Sequence, residues 1–462
     1  MFKLFRGGVH PDDMNRLSKD CPIEVFPLPD EVRILMSQHL GAPCAPCVKK
    51  GDRVRTGQVV GRAQGFVSAP VHASVTGTVK EVGEALHPVT GKSFQAVVIE
   101  REGEDEWAEG ANAAQDVSQL SADEIKDRIL AAGIVGLGGA TFPTHVKLSP
   151  PKDKPIDTVI LNAAECEPYL TSDYRLMMER ADEVVEGFSY IMRALGVDTG
   201  VIGIEDNKPD AAERMRQAAE GKGMSVETVR TRYPQGAEGQ LIYALCGREI
   251  PAKGGLPMDV GCVVQNVATS LAVRDAVKLK KPLIERLCTV TGDGVEKPMN
   301  VFVRIGAPVR PILEKAGLRE EAAKFVLGGP LMGLAQRTSD QFVAKGTGGI
   351  LVLCDAAIHE SGPCIKCGRC VDACPWGLTP AMLSRAVEAD DLDACLDLDL
   401  FGCKQCGCCT YVCPSKRPIV HQIKTAMEEL KRRKAEADAK AREEEAKANS
   451  EEAPKAASAA NA

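Results

Sequence analysis

Apolar and polar positions alternate over short stretches early in the chain and settle into helical spacing further on. Between 29 and 103, Pro46-Cys47-Val48, Val54, Val59-Val60 and Val75 are interrupted by glycines at 51, 57, 61 and 77. Such runs predict short β-strands joined by glycine turns. Ser121-Ala122-Asp123-Glu124 is a capping box that opens a helix through Ile125, Ile129 and Leu130,. Asp157-Thr158-Val159-Ile160-Leu161 predicts a strand,. Strands return at Leu287–Gly292 and Met299–Gly306, followed by a short helix over Pro308–Gly317 and a third strand from Phe325 that ends in Gly328-Gly329. Thr379–Ala389 predicts a helix. After 425, Lys and Glu recur at i,i+4 spacing, which predicts a solvated helix, with a disordered end from Ala446,. Residues 1–28 are short, Pro-rich and read as an extended arm packed on the first domain.

Gly51-Asp52-Arg53-Val54, Gly57-Gln58 and Ala69-Pro70-Val71-His72 together resemble the barrel-sandwich fold of lipoyl and biotinyl carrier domains. Those domains present a lysine at a hairpin tip for their swinging group. Here His72 stands near that place, so the resemblance implies the fold without the carrier function and gives His72 a structural role. The acidic stretch Glu102–Glu109 reads as a linker, and Cys44-Ala45-Pro46-Cys47 is a lone C-x2-C with no second pair nearby.

The strongest chemical signal lies between Cys364 and Cys413. Cys364, Cys367, Cys370 and Cys374-Pro375 form one C-x2-C-x2-C-x3-C-P run, and Cys403, Cys406, Cys409 and Cys413-Pro414 form a second. This run holds [4Fe–4S] clusters in bacterial ferredoxins, where the fourth cysteine of each copy ligates the other cluster. The resemblance assigns Cys364, Cys367, Cys370 and Cys413 to one cluster, and Cys403, Cys406, Cys409 and Cys374 to the other. Structural zinc sites pair C-x2-C arms across longer spacers, and disulfides do not require this spacing. Cys408 is surplus to the ligand count and reads as a small buried filler,.

Composition narrows the class. A chain of 462 residues has ample core without disulfide staples,. Eight of its 18 cysteines fall in the two runs, and Cys166, Cys246, Cys262, Cys288 and Cys354 read as core thiols, which fits a reducing cytosol,. The start lacks the apolar core of a signal peptide, and no run approaches the roughly 20 apolar residues that span a bilayer,. A net charge of -7 and an aromatic fraction of 4% argue against nucleic acid as a partner,.

The middle of the chain carries Gly133-Ile-Val-Gly136-Leu-Gly138-Gly139-Ala-Thr-Phe-Pro143-Thr-His-Val-Lys147 and then Asn162-Ala-Ala-Glu165-Cys166-Glu167-Pro168. Glycines let backbone N–H groups approach a phosphate, and a lysine beyond adds charge. The loop follows a predicted helix and so lacks the context of a Rossmann fingerprint. Together with Tyr233-Pro-Gln-Gly236-Ala-Glu238 and Val264-Gln-Asn266-Val-Ala-Thr269, these segments resemble the flavin- and NADH-binding subunit of respiratory complex I. The resemblance implies that Gly136, Gly138, Gly139 and Lys147 cradle the FMN phosphate and ribityl chain, and that Asn162, Asn266 and Thr269 touch FMN. It also implies that Glu165, Glu167 and Glu238 shape the floor where the nicotinamide lands, and that Tyr233 and Gly236 are cofactor-binding. Ala140-Thr141 and His145 depart from that family's Ala-Gly and glycine.

The implied order is an arm (1–28), a barrel-sandwich hybrid (29–103), an α/β flavin domain (115–284), a β-grasp module of the SLBB type (285–345), a bacterial two-cluster ferredoxin domain (355–424) and a charged helical or disordered tail (425–462). This multidomain α/β and α+β arrangement, with the opening Phe5-Arg6-Gly7-Gly8-Val9-His10-Pro11, resembles the RnfC family of the Rnf ion-translocating electron-transport complex. That resemblance implies an oxidoreductase subunit exchanging electrons between NAD(H) and, through the membrane and iron–sulfur subunits of its complex, ferredoxin. Its cofactors would be two [4Fe–4S] clusters and non-covalent FMN, and its place the cytoplasmic face of the inner membrane. Two alternatives share the domain order: a soluble cobalamin reductase of the propanediol-utilisation type, and a non-catalytic scaffold or cluster relay that lacks a working flavin site.

Overall fold

A computed structural model describes residues 4–88, 91–252 and 254–459, with side chains to 442. The chain forms two compact units: Val9–Ile358 with Leu4 and Phe5, and residues 359–459 with Arg6–Gly8.

The first unit begins with two small sheets. One is ordered Glu31–Leu35, Ser93–Arg101, Gly77–Leu86, Arg53–Val54, and the other Ala45–Pro46, Val59–Arg62, Val71–His72. Val32, Ile34, Val54, Val60, Val71, Val75, Val79, Val97 and Ile99 fill the space between them and are fully buried. The acidic stretch expected to be a linker is stitched to this sandwich, with Thr56 Oγ1 donating to Asp105 at 2.7 Å and Arg53 pairing with Glu106 at 2.6 Å.

The capping box forms as read. Ser121 Oγ accepts from Glu124 N, Glu124 Oε2 accepts from Ser121 N, and the helix Ala122–Ala131 buries Ile125 and Ile129. Beyond it lies a parallel sheet ordered Met224–Val229, Gly200–Glu205, Thr158–Ala163, Cys262–Asn266. Three of its strands are largely apolar and buried, as strands covered on both faces must be, whereas the edge strand Met224–Val229 alternates and is only partly buried,. The helices Ala181–Leu195 and Val267–Leu279 cross at Gly187, where a Cβ would stand 1.9 Å from Ser270 O.

The third layer is a six-stranded sheet ordered Ile23–Val25, Met299–Arg304, Glu285–Thr291, Gly349–Leu353, Lys324–Leu327, Leu334–Gln336. Two of its strands depart from the sequence reading. The arm contributes Ile23–Val25 as an edge strand parallel to Met299–Arg304, not as a segment laid on the barrel. Gly349–Leu353, beyond the expected end at 345, sits at the centre between Glu285–Thr291 and Lys324–Leu327. Four consecutive apolar residues, Ile350 to Leu353, suit that central place,.

The second unit packs the helix Pro380–Glu388 against the long helix Ile419–Ala459 around Leu383, Leu392, Leu400, Ile419, Ile423 and Met427. The long helix continues past Ala446, where disorder was expected. Gly7 and Gly8 belong to this unit. Gly8 N–H donates to Ala373 O at 2.9 Å, and a Cβ on Gly7 (φ +72°) would meet Cys374 C and O at 2.7 Å.

Candidate functional site

The glycine loop is a narrow excursion closed at its base. Val135 bridges Pro143, and Gly136 N–H donates to Phe142 O at 2.8 Å. The next peptide is held on both sides: Leu137 N–H donates to Thr269 Oγ1 at 2.8 Å, and Arg286 Nη2 donates to Leu137 O at 2.6 Å. Gly138 lies against Asn266, where a Cβ would stand 3.2 Å from the Asn266 Cβ. The tip, Gly138-Gly139-Ala140, is exposed, and Gly139 has φ +123° with open space where a Cβ would be. Among the described residues, none accepts a hydrogen bond from the amides of Gly138, Gly139 or Ala140. Successive free N–H groups at an open, glycine-rich tip are an arrangement that binds a phosphate. The residues present therefore fit an FMN phosphate.

The carboxyl end of the parallel sheet borders this loop. Asn162 and Asn266 are register partners at adjacent strand ends. Asn162 Nδ2 donates to Gly236 O at 2.7 Å, and Gly236 N–H donates to Cys166 Sγ at 3.2 Å. Asn266 caps the following helix by accepting from Thr269 N at 3.2 Å, while its Nδ2 donates to Asp173 Oδ2 at 2.5 Å. Lys147 pairs with Glu238, the first residue of the helix Glu238–Cys246.

The two glutamates of the N-x-x-E-x-E-P segment do different things. Glu165 sits in the left-handed region (φ +45°) and turns its carboxylate onto the start of the helix Ser172–Glu179, accepting from Asp173 N at 2.7 Å and Tyr174 N at 2.9 Å. Glu167 accepts from Leu331 N at 2.7 Å and Met332 N at 2.9 Å, and also bonds the Tyr233 side chain. Gly329 leaves it room, since a Cβ there would stand 2.1 Å from Glu167 Cγ. Tyr233 is buried, with backbone bonds to Val9.

Burial first, then the neighbouring Asp173, push the Glu165 carboxyl up to about 8. Such a group binds its proton more tightly folded than unfolded. Its stabilising effect is complete below the ordinary carboxylate range and disappears as pH rises toward 8. Glu165→Gln keeps an acceptor oxygen but cannot ionise. We expect it to remove about 1–3 kcal/mol of the stability that wild type loses between mildly acidic and mildly alkaline pH. Urea unfolding at the two pH values checks this; an unchanged pH slope would show that Glu165 does not titrate in that window.

Four contributors had no role assigned from sequence. Asp173 and Arg286 are buried beside the loop, with Asp173 Oδ1 and Arg286 Nε unpartnered. Lys208 forms a buried pair with Glu205 at 3.1 Å and donates to Ala164 O at 2.8 Å. Lys345 is buried among carbonyls. None of the four lies in a recognisable motif; Lys345 alone stands in a glycine-rich run, Lys345-Gly346-Thr347-Gly348. Cys44 is buried and donates to Ala69 O, whereas Cys47 is exposed and donates to Val59 O. Of the expected core thiols, Cys262 and Cys288 are buried, but Cys166, Cys246 and Cys354 are only half-buried.

The cysteine runs fold as two copies of one loop. Lys366 and Gln405 have φ +56° and +58°, and Gly368 and Gly407 have φ +78° and +84°, each glycine capping a one-turn helix. The repeated left-handed positions curl the backbone around its thiols, and Gln405 N–H donates to Cys403 Sγ at 3.3 Å. Cys374 from the first run lines a small apolar pocket with Cys403, Cys406 and Cys409 from the second, walled by Trp376, Leu378 and Ile423. Burial and then the nearby thiols, Cys374 among them, push Cys409 up to about 12. Cys370 has Cys367 and Cys413 as its neighbouring thiols. Several thiols crowded into an apolar cavity cannot all ionise unaided, and that donor set fits an iron–sulfur core. Cys408 is fully buried in the same wall.

Comparison with known proteins agrees with this geometry. Family models described as the RnfC barrel sandwich hybrid domain, the Nuo51 FMN-binding domain and the 4Fe-4S dicluster domain match residues 3–104, 129–275 and 363–417. The C subunit of the proton-translocating ferredoxin:NAD(+) oxidoreductase complex of Clostridium ljungdahlii is 49% identical over 393 residues, 84% of this chain and 86% of that one. Its Na(+)-translocating counterpart from Acetobacterium woodii is 44% identical over 436 residues, covering 93% and 98%. The C subunit of the ion-translocating oxidoreductase complex of Rhodobacter capsulatus is 41% identical over 436 residues, covering 93% and 84%. With its barrel sandwich, open glycine loop and doubled cysteine run all matched along one chain, this protein belongs to the RnfC family, the C subunits of Rnf-type ion-translocating oxidoreductase complexes.

Proposed function

We propose that the chain exchanges electrons between NAD(H) and the other subunits of an Rnf-type complex, and through them ferredoxin. The route runs by FMN at the glycine loop and two [4Fe–4S] clusters. The observation that carries this reading is the convergence of Cys374 with Cys403, Cys406 and Cys409 on one cavity, in the same chain as a glycine loop with free amides. FMN, when bound, supplies the exchange between a hydride's electron pair and single electrons.

The chain's own residues bind and orient. Gly138 and Gly139 supply the free amides of the phosphate cradle, Gly136 closes the base of the loop through its bond to Phe142 O, and Lys147, paired with Glu238, stands as the loop's cationic side chain,. Asn162, Asn266 and Thr269 fix the flavin's orientation from the sheet edge. Glu165, Glu167 and Glu238 shape the nicotinamide floor and Tyr233 and Gly236 border the cofactor, with the Glu165 carboxyl raised by burial and Glu167 tied to the Leu331–Met332 turn. Cys364, Cys367, Cys370 and Cys413 hold one cluster, and Cys403, Cys406, Cys409 and Cys374 the other. Amides directed at their sulfurs tune the potentials.

Among the described residues no helix is long and apolar enough to cross a membrane. Attachment to the cytoplasmic face of the membrane would then come through the other subunits, which carry out translocation of Na+ or H+. The test is an anaerobic NADH titration of the purified chain after cluster reconstitution and FMN addition. Flavin absorbance should bleach first and cluster absorbance follow. Clusters that dithionite reduces while NADH reduces nothing would sink the proposal.

A further inference from the structure

We infer that the barrel-sandwich domain and the Lys345-Gly346 segment are working parts of the cofactor site, holding the glycine loop in its phosphate-binding shape, with Lys345 as the positioning residue. This rests on the reading that FMN occupies that loop.

Lys345 is 1% exposed, and its Nζ donates to Gly133 O at 2.7 Å and Pro70 O at 3.1 Å. Among the described residues no carboxylate pairs with it. Burial pulls the ammonium down to about 8. A buried cation without a counter-charge is costly, and an apolar side chain of similar length would serve packing alone better. What Lys345 adds is a grip on Gly133, the root of the loop, 212 positions away in the chain.

Gly133 (φ +64°) has no room to move. A Cβ there would stand 2.2 Å from Pro70 O, 3.0 Å from Lys345 Nζ and 3.2 Å from His72 Cε1. His72 in turn bonds the backbone carbonyl of Ala131, the last residue of the preceding helix. The hairpin that presents a lysine in carrier domains is here pressed against the loop's root.

The tip is held from the same side. Leu40 N–H, from the barrel domain, donates to Thr141 O at 3.3 Å. Thr141 itself has φ +50°, a conformation that a β-branched residue keeps only under outside constraint,. Gly346 runs beneath it, where a Cβ would come 2.9 Å from Thr141 Cγ2 and 3.9 Å from Gly139 O. The free amides of the tip thus project from a loop clamped at root and tip, with a buried positive charge behind the root. That charge adds to the amide field and favours a phosphate over a neutral ligand.

The experiment titrates FMN and riboflavin, which lacks the phosphate, into the full chain with its clusters in place, followed by quenching of flavin fluorescence. Lys345→Met should weaken FMN about tenfold, the scale of one charge-assisted hydrogen bond, while riboflavin affinity changes little. Gly346→Val leaves the charge in place but displaces the tip, and should weaken FMN by a similar factor. An unchanged FMN-to-riboflavin ratio in folded Lys345→Met overturns the inference. If that variant does not fold, unchanged FMN affinity in Gly346→Val overturns it. Wild-type chain that binds neither flavin would instead remove the FMN reading itself, and this inference with it.

Discussion

Replacing Cys374 with alanine is expected to abolish the cluster bound by Cys403, Cys406 and Cys409 and to spare the one bound by its own run. Cys374 follows Cys370 by a single helical turn, Arg369–Asp372, and lines the cavity with the three second-run thiols. The backbone amides of Trp376, Leu378 and Gly377 lie close to its sulfur. Iron per chain should fall by about half, since one of two equal clusters is lost. Electron paramagnetic resonance of the reduced protein should show a single isolated cluster where wild type shows two coupled ones. The mirror variant, Cys413→Ala, should remove the first-run cluster, because Cys413 neighbours Cys370. Loss of the first-run cluster in Cys374→Ala would refute the crossed pairing. A change in NADH oxidation by the flavin alone is not expected in either variant, which separates the relay from the site where the hydride arrives.

What could be read in advance divides by the range of the interaction. The cysteine runs were legible because their spacing is local: each copy curls its own backbone through the same left-handed positions, and only the proposed pairing of the fourth cysteine depends on the other copy. The capping box at Ser121 and the strand Thr158–Ala163 were legible for the same reason. The edge strand Ile23–Val25 was not, because its partner Met299–Arg304 is remote in sequence and the arm's own pattern is short and exposed. Gly349–Leu353 was missed because two glycines precede it, which reads as a joint and not as the entry to a central strand.

The candidate flavin site was legible as a set of segments but not as a machine. Glu165 and Glu167 look equivalent in sequence. In the fold, a left-handed backbone at Glu165 turns it onto a helix start, while Glu167 is bound by a turn more than 160 residues away. Asp173, Arg286 and Lys345 carry no motif at all. Their part depends on burial, and burial of a charge beside a particular loop is a property of the tertiary packing that no local pattern encodes.

Gly139→Val is expected to cost the chain its flavin while leaving the fold and both clusters intact. Gly139 adopts φ +123°, a region open in practice only to glycine, so valine must either strain the backbone or shift the loop,. The strain alone is about 1–3 kcal/mol. Space does not oppose the substitution, because nothing lies within 4 Å of where the Cβ would be. The new side chain would project from the tip at which the phosphate is proposed to sit. Backbone strain and steric exclusion act together, and FMN affinity should fall by at least about a hundredfold, or some 3 kcal/mol. Because the tip is exposed and outside the apolar core, the unfolding midpoint of the flavin-free protein should shift by only a few degrees,. Retained FMN affinity in a folded Gly139→Val protein would place the flavin elsewhere, and the glycine loop would then be a turn and nothing more.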